Sequence, residues 1–339
     1  MKFKIIFLFF VPFISVIYGQ SLGHGDAINR AKNTHAGNQI RLTFFNYGAV
    51  GTVSGGSAND YTGEWPIGTG ETQLGSAEPF VISEIQVATD TAGNPIYLHP
   101  CIFSQGWDPS LFSHSTTGKN YGFEPLSGFL NITQKEKDAN HAVAMSHEAY
   151  TWPSSWPDRM TDANDPGWPG HWNGFFGKDQ KNADQESYFV VDDYQFGKAF
   201  GNYKLPLPDS TDPNRGGLGL RMYVRGLQWS NPDAEDVIFW LFTIENMGNL
   251  NLPRTMFGFN VGSSNGSKIG CSDNSIPNTA GAAYYRDEAL AVNFSTTNVG
   301  CGGYTPVPWV GYAFLESPGN PFDGIDNDAD GNLTTTPGG

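Results

Sequence analysis

Cysteine is scarce in this chain: three in 339 residues, at positions 101, 271 and 301, too few for a disulfide framework to hold the fold. Cys271 and Cys301 can pair across the segment between them, which leaves Cys101 to serve as a small apolar residue of the interior. None of the three has a close Cys or His companion, and this excludes a structural zinc site of the usual spacing. Basic residues are few as well, 19 against 34 acidic ones, for a formal net charge of −15. Such a surface repels phosphate backbones and anionic lipid, so nucleic acid and membrane surfaces are excluded as partners, while cations and neutral polymers remain. Beyond the first twenty residues no apolar run approaches membrane length, the longest lying around Val237–Phe242, so the mature chain is expected not to insert into a bilayer. Sustained helical periodicity is also missing.

The first twenty residues have the form of an export leader. Lys2 and Lys4 precede the apolar run Ile5–Tyr18, and Gly19 is a small residue where cleavage can fall. Removing this stretch takes away two lysines and no acid, so the mature protein is more acidic still. The expected setting is outside the cell or on its outer surface.

Glycine is plentiful, 42 residues, and the chain is rich in aromatics. With no helical period, these point to an all-β protein with much loop. Ile40, Leu42 and Phe44 alternate with Arg41, Thr43 and Phe45 as a half-buried strand does, and Phe80–Val87 forms another extended run before a turn at Ala92–Pro95. Leu218, Leu220, Met222 and Val224 point one way while Arg221, Tyr223 and Arg225 point the other. Val237–Glu245 is apolar on both faces, which predicts a central strand; Met247–Leu252 then loops into a strand over Thr255–Val261, and Glu186–Val191 joins the same sheet system. The expected architecture is an antiparallel β-sandwich. Its domain divisions are a leader at 1–20, an N-terminal β region at 21–125, a loop-rich aromatic segment at 126–185, the sandwich proper at 186–315, and a linker with an Asp-rich loop at 316–339. The N-terminal strands have two open placements, in the sandwich or in a small second domain.

Several motifs invite chemistry. Gly262-Ser-Ser-Asn-Gly266 fits a nucleophile elbow, but that geometry needs a helix straight after the serine, and Ser267–Asn274 does not read as one. His147-Glu148 lacks a second histidine four residues on, so a helix cannot present two imidazoles to zinc there. The other histidines, His141 among them, form no ligand spacing. Trp152, Trp156, Trp168 and Trp172 lie in one Pro- and Gly-rich stretch with Asp158, Asp162 and Asp165. Indole faces beside carboxylates make a glycan platform when exposed, and a miniature core under a long loop when they point inward. Asp192-Asp193, and Asp233, Glu235 and Asp236, stand at strand ends, where they hold a cation or cap turns.

The strongest binding signal is near the end of the chain. In Asp323-Gly-Ile-Asp-Asn-Asp-Ala-Asp-Gly-Asn332, the alternating Asp326, Asp328 and Asp330 can aim three carboxylates at one point, with Gly331 at the sixth position for the sharp bend. Asp323 and the carbonyl of Asn332 complete the oxygen set, and calcium is the fitting cation. Position twelve is Pro337 in place of a bidentate Glu, so the loop is not an EF-hand.

The loop is similar to the Asp-rich loops of thrombospondin type 3 repeats, in which aspartates further along share the ions. Together Tyr304–Gly331, Asn182–Tyr188 and Gln228–Trp240 resemble the N-terminal part of large, uncharacterised secreted proteins of Gram-negative bacteria that use a type IX export route. The resemblance runs over most of residues 40–331. It implies secretion and further domains in a longer chain, and it transfers no catalytic residue. The expectation is therefore a calcium-stabilised, non-enzymatic β module with structural or adhesive work, partnered by other domains of the same chain or by cell-surface components. The alternative is a carbohydrate-binding module or glycan hydrolase built on Trp152, Trp156, Trp168 and Trp172.

Overall fold

The computed structural model describes residues 22–51, 60–104, 122–200, 202–268, 280–285, 290–295, 298–300, 303 and 305–315. Its strands, in chain order, are β1 (Lys32–His35), β2 (Leu42–Phe45), β3 (Val50–Gly51), β4 (Glu71–Ser83), β5 (Ile85–Thr89), β6 (Pro95–Leu98), β7 (Cys101–Phe103), β8 (Glu124–Pro125), β9 (Asn173–Gly174), β10 (Gly177–Lys178), β11 (Gln185–Asp192), β12 (Ala199–Phe200), β13 (Tyr203–Lys204), β14 (Leu220–Gln228), β15 (Ile238–Asn246), β16 (Thr255–Lys268), β17 (Ala280–Tyr285), β18 (Leu290–Ser295) and β19 (Val310–Ala313). Every ladder is antiparallel, and the fold is all-β. Among the described residues there is one α-helix, α1 (Ile132–Lys137), and no helix long and apolar enough to cross a membrane.

Two sheets face each other. The first runs β1-β2-β3-β4-β16 with β7 on β4, and the second β15-β14-β11-β8. Their inner faces follow the period of two: Leu42 and Phe44 from one side meet Phe189, Val191, Met222 and Val224 from the other in a single core, with the Phe44 and Phe189 rings 6.2 Å apart. Of the two placements open for the N-terminal strands, the structure has the first. β16 pairs with β4 from Thr255↔Ser83 to Lys268↔Glu71, so both halves of the chain build one sheet.

Three expectations are corrected. β15 is an edge strand, paired among the described strands with β14 alone. It is apolar on both faces for a different reason: Ile238, Trp240, Phe242 and Ile244 pack on the core, while Phe239 packs edge-on against Trp229 at 5.4 Å on the other side. The strand expected to end at Val261 continues to Lys268, so Gly262–Gly266 lies inside β16, and its irregularity is taken up as register shifts next to Ser263. Finally, the loop-rich stretch before β11 holds α1. Asn131 caps it by accepting from the Gln134 N–H at 3.0 Å, and Lys135 and Lys137 sit in its last turn.

Candidate functional site

The outer face of the second sheet carries the densest constellation of polar and aromatic groups. β11 and β14 present Glu186, Tyr188, Tyr223 and Arg225 away from the core, and the segment 126–183 folds back over them. Such a long connection leaves many backbone groups to satisfy. Here buried side chains do it. Glu186 accepts from Trp172 Nε1 at 3.0 Å, from the Phe175 N–H at 3.1 Å and from Arg225 Nη1 at 2.6 Å. Arg225 also donates to the Asn173 carbonyl at 2.7 Å, and its guanidinium lies 3.7 Å over the Tyr188 ring.

A second knot sits beside the first. Asp158 accepts from the Tyr188 hydroxyl at 2.7 Å and from Asn173 Nδ2 at 2.9 Å, while Arg159 Nε donates to Asn173 Oδ1 at 2.7 Å. Burial, then the Asp158 carboxylate, raises the Tyr188 phenol well above its ordinary pKa.

The tryptophans divide into two pairs. Trp156 and Trp172 are wholly buried, their rings edge-on at 5.6 Å, and Trp156 Nε1 donates to the His171 carbonyl at 2.8 Å. They fill a satellite core with Leu126, Phe129, Tyr188 and Val190 and offer no face to a ligand, so the four-indole platform is reduced by half. Trp152 and Trp168 are half-buried. Trp152 donates to the Met145 carbonyl at 2.7 Å, whereas Trp168 adopts a left-handed backbone, φ 55°, with Arg159 5.0 Å from its ring. A bulky residue in that region is an outlier.

The paired acids at the end of β11 are structural. Asp192 takes the Gly25 and Tyr194 N–H groups at 2.8 and 3.0 Å, and Asp193 takes those of Leu218 and Leu220 at 2.6 and 3.0 Å. Arg215 and Arg221 lie beside them, so the positive charge that a cation would bring is already supplied by arginine. Burial lifts Asp193 to about 7. Near the start of β15, Asp236 accepts from Trp65 Nε1 at 2.6 Å and Asn231 Oδ1 takes the Asp233 N–H, which is turn and docking work. Cys101 is a half-buried free thiol, and burial raises its pKa to about 11. His141 pairs with Asp138 at 2.7 Å and His171 with Asp179 at 2.6 Å, both on the surface.

The calcium-type loop, with Asp323, Asp326, Asp328, Asp330 and Asn332, lies outside the described residues, as do Cys271 and Cys301. Sequence reasoning missed the roles of Glu186 and Arg225. The signal was present: an arginine alternating outward from a core-facing strand, in a chain with a tryptophan-rich segment able to cover it. Compared with known proteins, the chain matches no family model, no curated protein and no solved structure.

Proposed function

We propose that the chain is a non-enzymatic β module of an exported, cell-surface or extracellular protein, with structural or adhesive work, and that calcium on Asp323, Asp326, Asp328, Asp330 and Asn332 stiffens the segment beyond residue 315. The observation that carries the scaffold reading is the buried Glu186–Arg225 pair. It fastens the 126–183 segment to the second sheet as a stiff outer layer, and that layer holds Tyr150, Phe175 and Phe176 exposed at 53, 48 and 68 %. Exposed aromatics on a rigid mount are suited to contact with another surface. The calcium reading rests on the alternating carboxylates, whose mutual repulsion a divalent ion relieves.

The test is titration calorimetry and thermal unfolding of the mature chain at millimolar calcium. Heat of binding and a raised melting temperature, both lost when Asp326, Asp328 and Asp330 are changed to Asn, are expected. A silent titration with an unmoved transition removes calcium from the reading. The second reading, sugar binding, falls to Trp152 and Trp168, the two of the four indoles of that stretch that keep access to solvent. Saturable glycan binding lost on Trp168→Ala, with the fold intact, would favour it.

A further inference from the structure

On the outer face of the first sheet a lysine and an aspartate are buried against each other. Phe44 faces the core, so Phe45 faces out, and Lys32, which pairs with Phe45 across β1 and β2, shares that face. Lys32 Nζ is in contact with Asp60 Oδ1, and the two side chains are only 14 % and 4 % exposed. Around them lie Phe45, its ring 5.8 Å from the Lys32 nitrogen, and Tyr47, 5.2 Å from Phe45. Asp60 is fixed through its neighbour: Tyr61 exchanges hydrogen bonds with Thr43 at 2.8 and 2.9 Å, and Arg41 stacks on the Tyr61 ring at 3.9 Å.

The other strongly buried acids among the described residues that form ion pairs meet arginine. Arginine keeps its proton and does not act as a nucleophile, whereas a lysine ammonium gives up its proton readily when dehydrated. Lys32–Asp60 is the one described ion pair whose cation is lysine.

We propose that Lys32 and Asp60 are joined by an intramolecular amide. In the net step the Lys32 Nζ–Asp60 Cγ bond forms, one Cγ–O bond of the carboxylate breaks, and that oxygen leaves as water with two of the ammonium protons, the third staying on the amide nitrogen. No oxidant, reductant or cofactor enters the balance. Two charges that are costly to keep buried disappear. Holding the partners in fixed contact supplies the drive, since well-oriented intramolecular reactions reach effective concentrations on the order of 10⁵–10⁸ M.

Intact mass spectrometry of the folded, mature chain tests the bond. The expected mass is short by one water, and a protease digest yields one branched peptide joining the Lys32 and Asp60 segments. Lys32→Arg and Asp60→Ala restore the full mass. A full-mass wild-type chain overturns the proposal, and so does a water loss that persists in Lys32→Arg. If either variant fails to fold, the branched peptide from the wild type decides alone: its sequence places the link at Lys32 and Asp60 or refutes it.

Discussion

Arg225 Nη1 lies 2.6 Å from Glu186 Oε1, and neither side chain reaches solvent appreciably. The two residues belong to adjacent strands, yet their bonds run outward, to Trp172, Phe175 and Asn173. Removing one partner strands the other charge in a dry setting, so Glu186→Gln is expected to destabilise the protein by about 3–5 kcal/mol. Chemical denaturation measures it. Changing both residues to apolar ones of similar volume should recover part of the loss, because no lone charge is left behind.

Trp172 and Trp168 should respond differently to truncation. Trp172 is wholly buried, so Trp172→Ala opens a cavity and is expected to cost about 3–5 kcal/mol. Trp168→Ala gives up a cation–π contact of about 0.5–1 kcal/mol but keeps a fold that binding assays can use. The midpoints of urea unfolding separate the two.

Acid should act on the seam between the sheets. His35 Nε2 is 2.9 Å from Ser187 Oγ across that seam, its Nδ1 has no partner among the described residues, and burial, with the His147 charge adding, lowers its pKa from 6.5 to about 3. Between those values the unfolded chain takes up a proton that the folded one refuses, so this contribution is intact above pH 6.5 and is lost as pH falls, by about 1.4 kcal/mol per pH unit. Asp193 works in the opposite sense. Its folded pKa of about 7 makes the folded chain the better proton binder, and its contribution fades as pH rises from 3.8 toward 7. The difference in stability between wild type and His35→Gln, followed from pH 7 to pH 4, isolates the histidine; a difference that does not change with pH would refute the assignment.

Gly226 is expected to reject any side chain. A Cβ there would lie 2.7 Å from His35 Nε2, 2.8 Å from Ser187 Oγ and 2.8 Å from Trp240 Cζ3. All three belong to the packed seam, so Gly226→Ala should destabilise by about 1–3 kcal/mol and lower the melting temperature.

Alternation carried most of what could be read in advance. Leu220, Met222 and Val224 face the core as their spacing requires, because one buried face imposes a period of two on any strand. The position of β15 was not legible, since apolar residues on both faces look the same whether neighbouring strands or a covering loop bury them. α1 went unread although its signals are local: the Asn131 cap and the lysines of its last turn lie within seven residues. The Glu186–Arg225 knot is different in kind, for it joins residues 39 positions apart with others from 172 to 175, and no short pattern records such partners. Among the tryptophans, burial of Trp156 and Trp172 and access of Trp152 and Trp168 depend on that same distant anchoring.

The tryptophan-bearing layer rests on a floor made jointly by β11 and β14, so it has nothing to settle on until those strands have found each other. Its contacts therefore belong to the final consolidation of the native state. Substitutions within it should hasten unfolding while leaving the speed of refolding nearly untouched, which makes this layer the part of the molecule that sets its lifetime once folded.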